Sequence, residues 1–422
     1  MPVSKIVPNK KGYKVLVVDP YGGNEAVLLQ ALEAGSVESV YVCLANRLKP
    51  GIPTTTKVFQ APENARGPFR ASGLRLLNPL RRAWLLAKQV VCLRGVVAEV
   101  KPDIIIAIDI ELGLPVALKA RGVPVAGISE GSDILVVPRR SEKQKRNLCR
   151  WLRKSRGMIV YTKHQEDALR LFQSQNMPIW IRRRTQNITP YSESFELVPS
   201  QKAHEFLPVF RLGAWRDCAV FAPLANPLAR QVPLVLCLRG SSAVYRPEVL
   251  VEACARAYRR APFTLRMAAA SDDVPRLLTV AQAHGLPKDA IAFVTERIPY
   301  ERMPLEYGAA TVVVQAILDE SLGYTAIEAM ACGRVMVQPD SEVAREVLSP
   351  EQQALLSGPS AESLAEKMAL ALNDHNLRRN IEDANRRHAL KYYDRAKVLP
   401  RVGAGLQAWL AGIIQAYRAG KP

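Results

Sequence analysis

The feature that most constrains this chain is a repeated alternation of short β-branched apolar runs with longer stretches of helical periodicity. Tyr13-Lys-Val-Leu-Val-Val-Asp19 opens the series, followed by Gly22-Gly23 and a helical pattern from Glu25 to about Ala34. Further strands are expected at Ser39–Leu44, Asp103–Ile108, Val123–Ile128 and Met158–Tyr161, with helices at Arg81–Val97 and Glu166–Gln175. Runs that are apolar along their whole length are buried on both faces, and intervening helices can cover both sides of such a sheet only if it is parallel.

The second half repeats the arrangement. Val232–Leu238 is followed by a helix opening at Pro247, whose fixed φ suits a first turn. There Val249, Leu250, Ala253, Cys254 and Ala257 recur as one apolar stripe. Phe263–Ala268, Ile291–Val294, Thr311–Ile317 and Val335–Gln338 are the later strands, and Leu364, Met368 and Leu372 mark another amphipathic helix. The expected fold class is α/β, with two Rossmann-like doubly wound domains facing each other across a cleft and ligands at the carboxyl ends of the strands. An N-terminal acceptor domain is expected over 1–199 and an irregular linker or insertion over 200–231. A donor domain is expected over 232–395, and a C-terminal helix over 396–422 is expected to pack back on the first domain.

Composition excludes other classes. The 422 residues exceed one core, and 48% hydrophobic with 23% charged residues fits a soluble globular protein. No apolar run approaches the roughly 18–20 residues of a membrane span, and Met-Pro-Val-Ser-Lys-Ile-Val-Pro lacks the apolar core of a secretory signal. A cytoplasmic location is expected. Lys and Arg number 58 against 39 acids, a net charge of +19 that favours polyanionic partners. The seven cysteines are scattered without a Cys-x-x-Cys pair, as buried free thiols of a reducing compartment would be, and the five histidines never fall three or four apart. No zinc or other metal site is therefore expected.

The segment that carries chemistry is Asp319-Glu320-Ser321-Leu322-Gly323-Tyr324-Thr325-Ala326-Ile327-Glu328-Ala329-Met330-Ala331-Cys332-Gly333. It follows the Thr311–Ile317 strand, so it forms the loop at that strand's end and the helix beyond. Gly323 lets backbone approach a ligand, and a helix starting near Tyr324 offers unpaired N–H groups and a positive dipole end to a phosphate. Glu320 and Glu328 flank that helix end. An ionised carboxylate at either place can accept hydrogen bonds from vicinal sugar hydroxyls.

Here the chain resembles the retaining glycosyltransferases of family 4, the "group 1" enzymes of GT-B fold. Their signature is a Glu-x7-Glu of the form E-G-F-G-x-x-x-x-E-A-M-A-C-G, and this chain reads E-S-L-G-Y-T-A-I-E-A-M-A-C-G. The likeness runs from about Val232 to the end of the chain. It includes Ile298-Pro-Tyr-Glu-Arg-Met-Pro-Leu-Glu-Tyr-Gly-Ala-Ala upstream of the motif, and Gly358-Pro-Ser-Ala-Glu-Ser-Leu-Ala and Asn376-Leu-Arg-Arg downstream. The resemblance implies that Glu320 orients the donor sugar and Glu328 the ribose, with Ser321, Leu322, Gly323, Tyr324 and Thr325 lining the donor. It implies a phosphate clamp after the first strand of the second domain. Arg239 fits the clamp's first position, and Arg246 stands where the family has a lysine.

In the first half, Gly22 and Gly23 occupy the place of the family's glycine-rich loop, although a plain βα turn accounts for them equally. Ser129-Glu130-Gly131-Ser132-Asp133-Ile134 resembles the family's H-G-S-D-I segment with Glu130 in place of the histidine that contacts the donor sugar. Glu130 and Asp109 are the acceptor- or sugar-side candidates. The implied reaction moves a sugar from a nucleotide-sugar to a hydroxyl acceptor with retention, in cell-envelope polysaccharide or glycolipid synthesis. Two other readings stay open on the same scaffold: a nucleotide-sugar epimerase, and a non-catalytic nucleotide-sugar or polyanion binder. The absence of an Asp-x-Asp cluster agrees with the metal independence that the resemblance implies.

Arg139 to Arg156 holds nine basic residues and one acid, with Leu148, Trp151 and Leu152 as a narrow apolar strip. A solvated helix face is one reading. An anionic membrane surface, on which each basic residue contributes about 1 kcal/mol, is the other, and it suits a lipid-linked acceptor at the inner membrane face. No nucleic-acid partner is expected, because no matching motif or aromatic platform for bases is present.

Overall fold

A computed structural model describes residues 13–20, 26–44, 56–61, 79–120, 122–129, 142–176, 207–224, 232–318 and 322–420. The chain divides into two compact units. One holds the described residues up to Gly213 together with those from Leu399 onward; the other is Ala214–Val398.

The first unit contains β1 (Lys14–Asp19), α1 (Ala26–Ala34), β2 (Glu38–Cys43), β3 (Lys57–Gln60), α2 (Pro79–Val100) and β4 (Ile104–Ile108). After a π-helical turn over Asp109–Gly113 come α3 (Leu114–Ala117), β5 (Val125–Ile128), α4 (Glu142–Leu152), β6 (Gly157–Val160), α5 (Lys163–Asn176) and β7 (Val209–Arg211). The sheet order is β3-β2-β1-β4-β5-β6-β7, with every described pairing parallel. Every residue of the run Ile-Ile-Ile-Ala-Ile in β4 is buried, as a central strand covered on both faces requires. Strands β3 and β7 carry no such run; as short edge strands they escape a reading based on apolar periodicity. The latter falls inside 200–231, so part of the expected linker is the seventh strand of the first sheet, pairing Met158↔Val209 and Val160↔Arg211.

The second unit contains β8 (Leu234–Cys237), α6 (Pro247–Tyr258), β9 (Thr264–Ala268), α7 (Val274–Ala283), β10 (Ile291–Val294), α8 (Met303–Ala309) and β11 (Val312–Val314). Then follow α9 (Tyr324–Ala331), β12 (Val335–Pro339), α10 (Glu342–Val347), β13 (Leu356–Ser357), α11 (Ala361–Asn373) and α12 (His375–Tyr392). Its order is β10-β9-β8-β11-β12-β13, again parallel. Alternate strand residues feed two cores: Val235, Cys237, Leu265 and Met267 face one, while Leu236, Val313 and Met336 face the other. All seven cysteines are free, and burial pushes the Cys218 and Cys237 thiols up to about 11.

The last helix, α13 (Arg395–Arg418), packs against the first unit from Leu399 on. A Cβ added at Gly403 would lie 2.6 Å from the Gly35 nitrogen, and one at Gly157 would lie 2.6 Å from the Trp409 ring, so backbone contact depends on the missing side chains. Trp409 also packs on Phe210, with ring centroids 5.8 Å apart. Gly412, on the same helix, has open space around its Cβ position. Gly403→Val is expected to lower the unfolding free energy by about 2 kcal/mol through overpacking. Gly412→Ala is expected to leave it unchanged or raise it by about 0.5 kcal/mol. Urea denaturation of the two variants beside wild type checks both.

Candidate active site

Strand order in the second sheet reverses between β8 and β11. At such a point the loops leaving the two carboxyl ends diverge in opposite directions and open a crevice. The loop after β8 carries Arg239 and Arg246, and the loop after β11 leads to Gly323 and α9, so topology gathers residues about eighty positions apart. Arg246 Nη1 donates to the Ala316 carbonyl, just past β11, at 3.4 Å.

The loop after β8 is held in shape. Ser241 is buried; its Oγ donates to Asp273 Oδ2 at 2.6 Å and accepts from the Ala270 amide at 2.9 Å, tying the loop to the chain beyond β9. The Arg239 guanidinium carbon lies 5.2 Å from the centre of the Tyr245 ring. Arg246 has φ +52° in the left-handed region, which a long side chain rarely adopts, directly before the proline that starts α6. Strain of this kind costs on the order of 1–3 kcal/mol and persists where surrounding structure imposes it, commonly at ligand sites.

On the other side, Gly323 caps α9 with φ +69°, and an added Cβ would stand 3.1 Å from Val347 Cγ2. Only glycine suits both the backbone angle and the space. Glu328 lies on α9 just over a turn from its start and is buried. Its Oε1 accepts from Arg216 Nε at 2.6 Å and its Oε2 from the Tyr307 hydroxyl at 2.8 Å. Each carboxylate oxygen keeps a further lone pair for another donor. Arg216 also stacks over the Tyr324 ring, 3.6 Å from its centre, and Nη1 donates to the Trp215 carbonyl at 3.0 Å. Its backbone is pinned by the Tyr393 carbonyl and the Arg395 amide.

The electrostatics follow from this packing. Burial alone would lower the Arg216 pKa, but the Glu328 charge and hydrogen bond together with the neighbouring Tyr324 and Tyr300 outweigh it, and the net direction is upward. Burial, reinforced by Glu328, holds the Tyr307 phenol well above its ordinary value, so it stays a neutral hydroxyl donor. The cluster thus fixes one carboxylate in place between a cation and a hydroxyl.

Asp109 sits at the carboxyl end of β4, next to the strand-order reversal of the first sheet, with φ +65°. Its Oδ1 accepts from the Glu111 and Leu112 amides at 2.7 and 2.8 Å, so that oxygen caps the π-helical turn. Leu322 and Thr325 flank Gly323 as the sequence orders them. Glu320, Ser321, Gly22, Gly23 and Glu130 lie outside the described residues. Among the described residues no group of three or more His, Cys, Asp or Glu side chains could hold a metal ion.

Sequence reading passed over Arg216 and gave no role to Tyr307. Arg216 lies in an irregular stretch 112 residues before its partner, and no spacing rule connects them. Its place is explained by the tertiary pairing with Glu328, in which its side chain stays 15% exposed. Arg216→Met would leave the Glu328 charge buried without its cation and is expected to cost about 3 kcal/mol of stability. Tyr307→Phe removes one hydrogen bond and should cost about 1 kcal/mol. Chemical denaturation that ranks the two the other way would overturn this account of the cluster.

Several solved structures share the fold over nearly the whole chain. A sucrose-phosphate synthase from Thermosynechococcus elongatus superposes with a TM-score of 0.70 at 18% identity, covering 95% of this chain and all of that one. Anabaena HepE in complex with UDP and glucose gives 0.65 at 18% identity, covering 94% and 100%. A glycosyltransferase from Rickettsia africae ESF-5 gives 0.65 at 12% identity, covering 95% and 99%. No curated protein matches the sequence. The fold is therefore the α/β GT-B fold, and residues 225–388, which carry the β8 and β11 loops and α9, match the model of the family described as Glycosyl transferases group 1.

Proposed function

We propose that this protein is a retaining glycosyltransferase of family 4 that moves a sugar from a nucleoside-diphosphate sugar to a hydroxyl acceptor. The observation that carries the reading is the fixed carboxylate of Glu328 behind the glycine-capped start of α9, at the strand-order reversal where Arg239 and Arg246 also emerge. The family match over 225–388 supports it.

In this reading the ribose hydroxyls donate to the lone pairs that Arg216 and Tyr307 leave on Glu328. The diphosphate meets the start of α9, where unpaired N–H groups and the helix dipole favour negative charge. Arg239 and Arg246 stabilise charge growing on the leaving phosphates, a term larger in a water-poor site than in bulk solvent. Glu320 orients the donor sugar, Ser321, Leu322, Tyr324 and Thr325 line it, and Gly22 and Gly23 are further donor-binding candidates. Glu130 and Asp109 serve the acceptor or sugar side. The leaving diphosphate accepts the acceptor hydroxyl's proton, and cationic side chains take the place of a metal. UDP-glucose is the first donor to test, because the structurally similar HepE has a crystal structure in complex with it. A glycosyltransferase of lipopolysaccharide outer core is among the structural neighbours, which supports an envelope acceptor.

The basic stretch supports cytoplasmic, peripheral action on a lipid-linked acceptor. In its described part, Leu148 and Leu152 are buried while Arg146, Arg150, Arg153 and Lys154 are exposed, so α4 and the turn after it present a cationic side outward. Arg139 and Arg140 lie outside the described residues.

Glu328→Gln keeps the shape of the cluster but weakens charge-assisted hydrogen bonds. It is expected to raise the donor KM about tenfold with kcat little changed. Arg239→Ala is expected to lower kcat by about a hundredfold. Nucleotide release from UDP-, GDP- and ADP-sugars, with and without acceptor, measures both. Donor binding without acceptor-dependent release would instead favour the non-catalytic binder, which the glutamate at 130 keeps open.

A further inference from the structure

The outward side of α2 is apolar where a surface helix is normally polar. Its inward residues Leu85, Val90, Leu93, Val96 and Val100 are buried. At 100° per residue, Trp84, Ala87, Val91, Gly95 and Ala98 fall together on the opposite side, and all five are exposed. Trp84 is 54% and Val91 69% exposed, and the Cβ position of Gly95 has nothing within 4 Å. Mostly cations rim the stripe: Lys88 Nζ lies 3.8 Å from the centre of the Trp84 ring, Arg94 donates to the Lys119 carbonyl at the edge, and the one acid, Glu99, is paired with Lys57 at 3.2 Å.

This stripe and the cationic side of α4 point the same way. Val90, Leu93, Val96 and Val100 of α2 and Leu148 and Leu152 of α4 share one core with Leu16, Val18, Ile105, Ala107, Met158 and Val160. Those strand residues alternate, so they line a single face of the first sheet, and both helices cover that face. Their outer sides therefore face away from the same side of the sheet, α2 with its apolar stripe and α4 with Arg146, Arg150, Arg153 and Lys154 exposed.

We infer that this surface docks on an anionic bilayer, with the outer side of α2 entering the headgroup region and Trp84 and Val91 as its apolar contacts. The inference rests on the peripheral-membrane reading and adds the element that enters the lipid. Charge selects the occupant: a second copy would bring the same cationic rim, on a chain of net charge +19, against itself. Anionic headgroups complement that rim, and an indole ring suits the interface between water and acyl chains. Among the described residues no helix is long and apolar enough to cross a membrane, so contact by this surface is lateral.

Co-sedimentation of the full chain with vesicles of phosphatidylcholine, with or without phosphatidylglycerol, tests it. Wild type is expected to bind only the anionic vesicles and to retain part of that binding at about 0.5 M salt, where charge attraction is screened. Trp84→Ser with Val91→Ser should weaken partitioning about tenfold and abolish the salt-resistant part. Both side chains are exposed, so the melting temperature and any donor-induced thermal shift should hold. Arg146→Gln, Arg150→Gln and Arg153→Gln together should remove the salt-sensitive part. If only the arginine variant loses binding, the α4 reading stands and the α2 inference falls. If wild type binds no vesicle, both fall. A wild-type dimer in solution that Trp84→Ser with Val91→Ser dissociates would assign the stripe to self-association instead and overturn the proposal.

Discussion

A carboxylate taken out of water must be paired, and the second unit is arranged around one such group. Glu328 is buried on α9 and satisfied by Arg216 and Tyr307, from two other parts of the unit. Arg216 is in turn fixed through its backbone to the chain around Tyr393 and Arg395, where α12 gives way to α13, and through its guanidinium face to Tyr324. The start of α9, the end of α12 and the segment after β7 are thereby held in one register. Removing any partner leaves a charge or a donor in a place largely shielded from water, so the cluster is both a structural joint and a fixed acceptor.

The same economy appears at the glycines. Gly323 is required because α9 begins with a left-handed residue against Val347. Gly403 and Gly35 are required because two backbones meet with no room for a side chain. In each case a residue without a Cβ allows a close approach that sets where a helix begins or docks. Arg246 reaches the left-handed region despite its side chain, at the loop where the proposed function needs a cation.

Much of the fold was legible because parallel strands announce themselves. The stretches 15–18, Ile104–Ile108, Val125–Ile128 and 335–337 are apolar throughout, since helices cover them on both sides. Strands β3, β7 and β13 were not legible: they lie at sheet edges, span two to four residues and carry too little apolar pattern to separate from loop. Glu328, Gly323 and Arg239 stood out through local order, because a strand, a loop and a helix start are contiguous in the chain. Arg216 did not, because its partner is distant and a single arginine in an irregular stretch carries no period.

The sequence by itself determined the fold class, the strand–loop–helix segment around Gly323 and the cationic excess of the chain. These depend on neighbouring residues or on sums over them. Tertiary structure decided which distant side chains share the carboxylate of Glu328, that β7 extends the first sheet, and that one side of α2 is left apolar and exposed. Those outcomes depend on which surfaces are excluded from water once the helices settle on their sheets, and no local pattern encodes that exclusion.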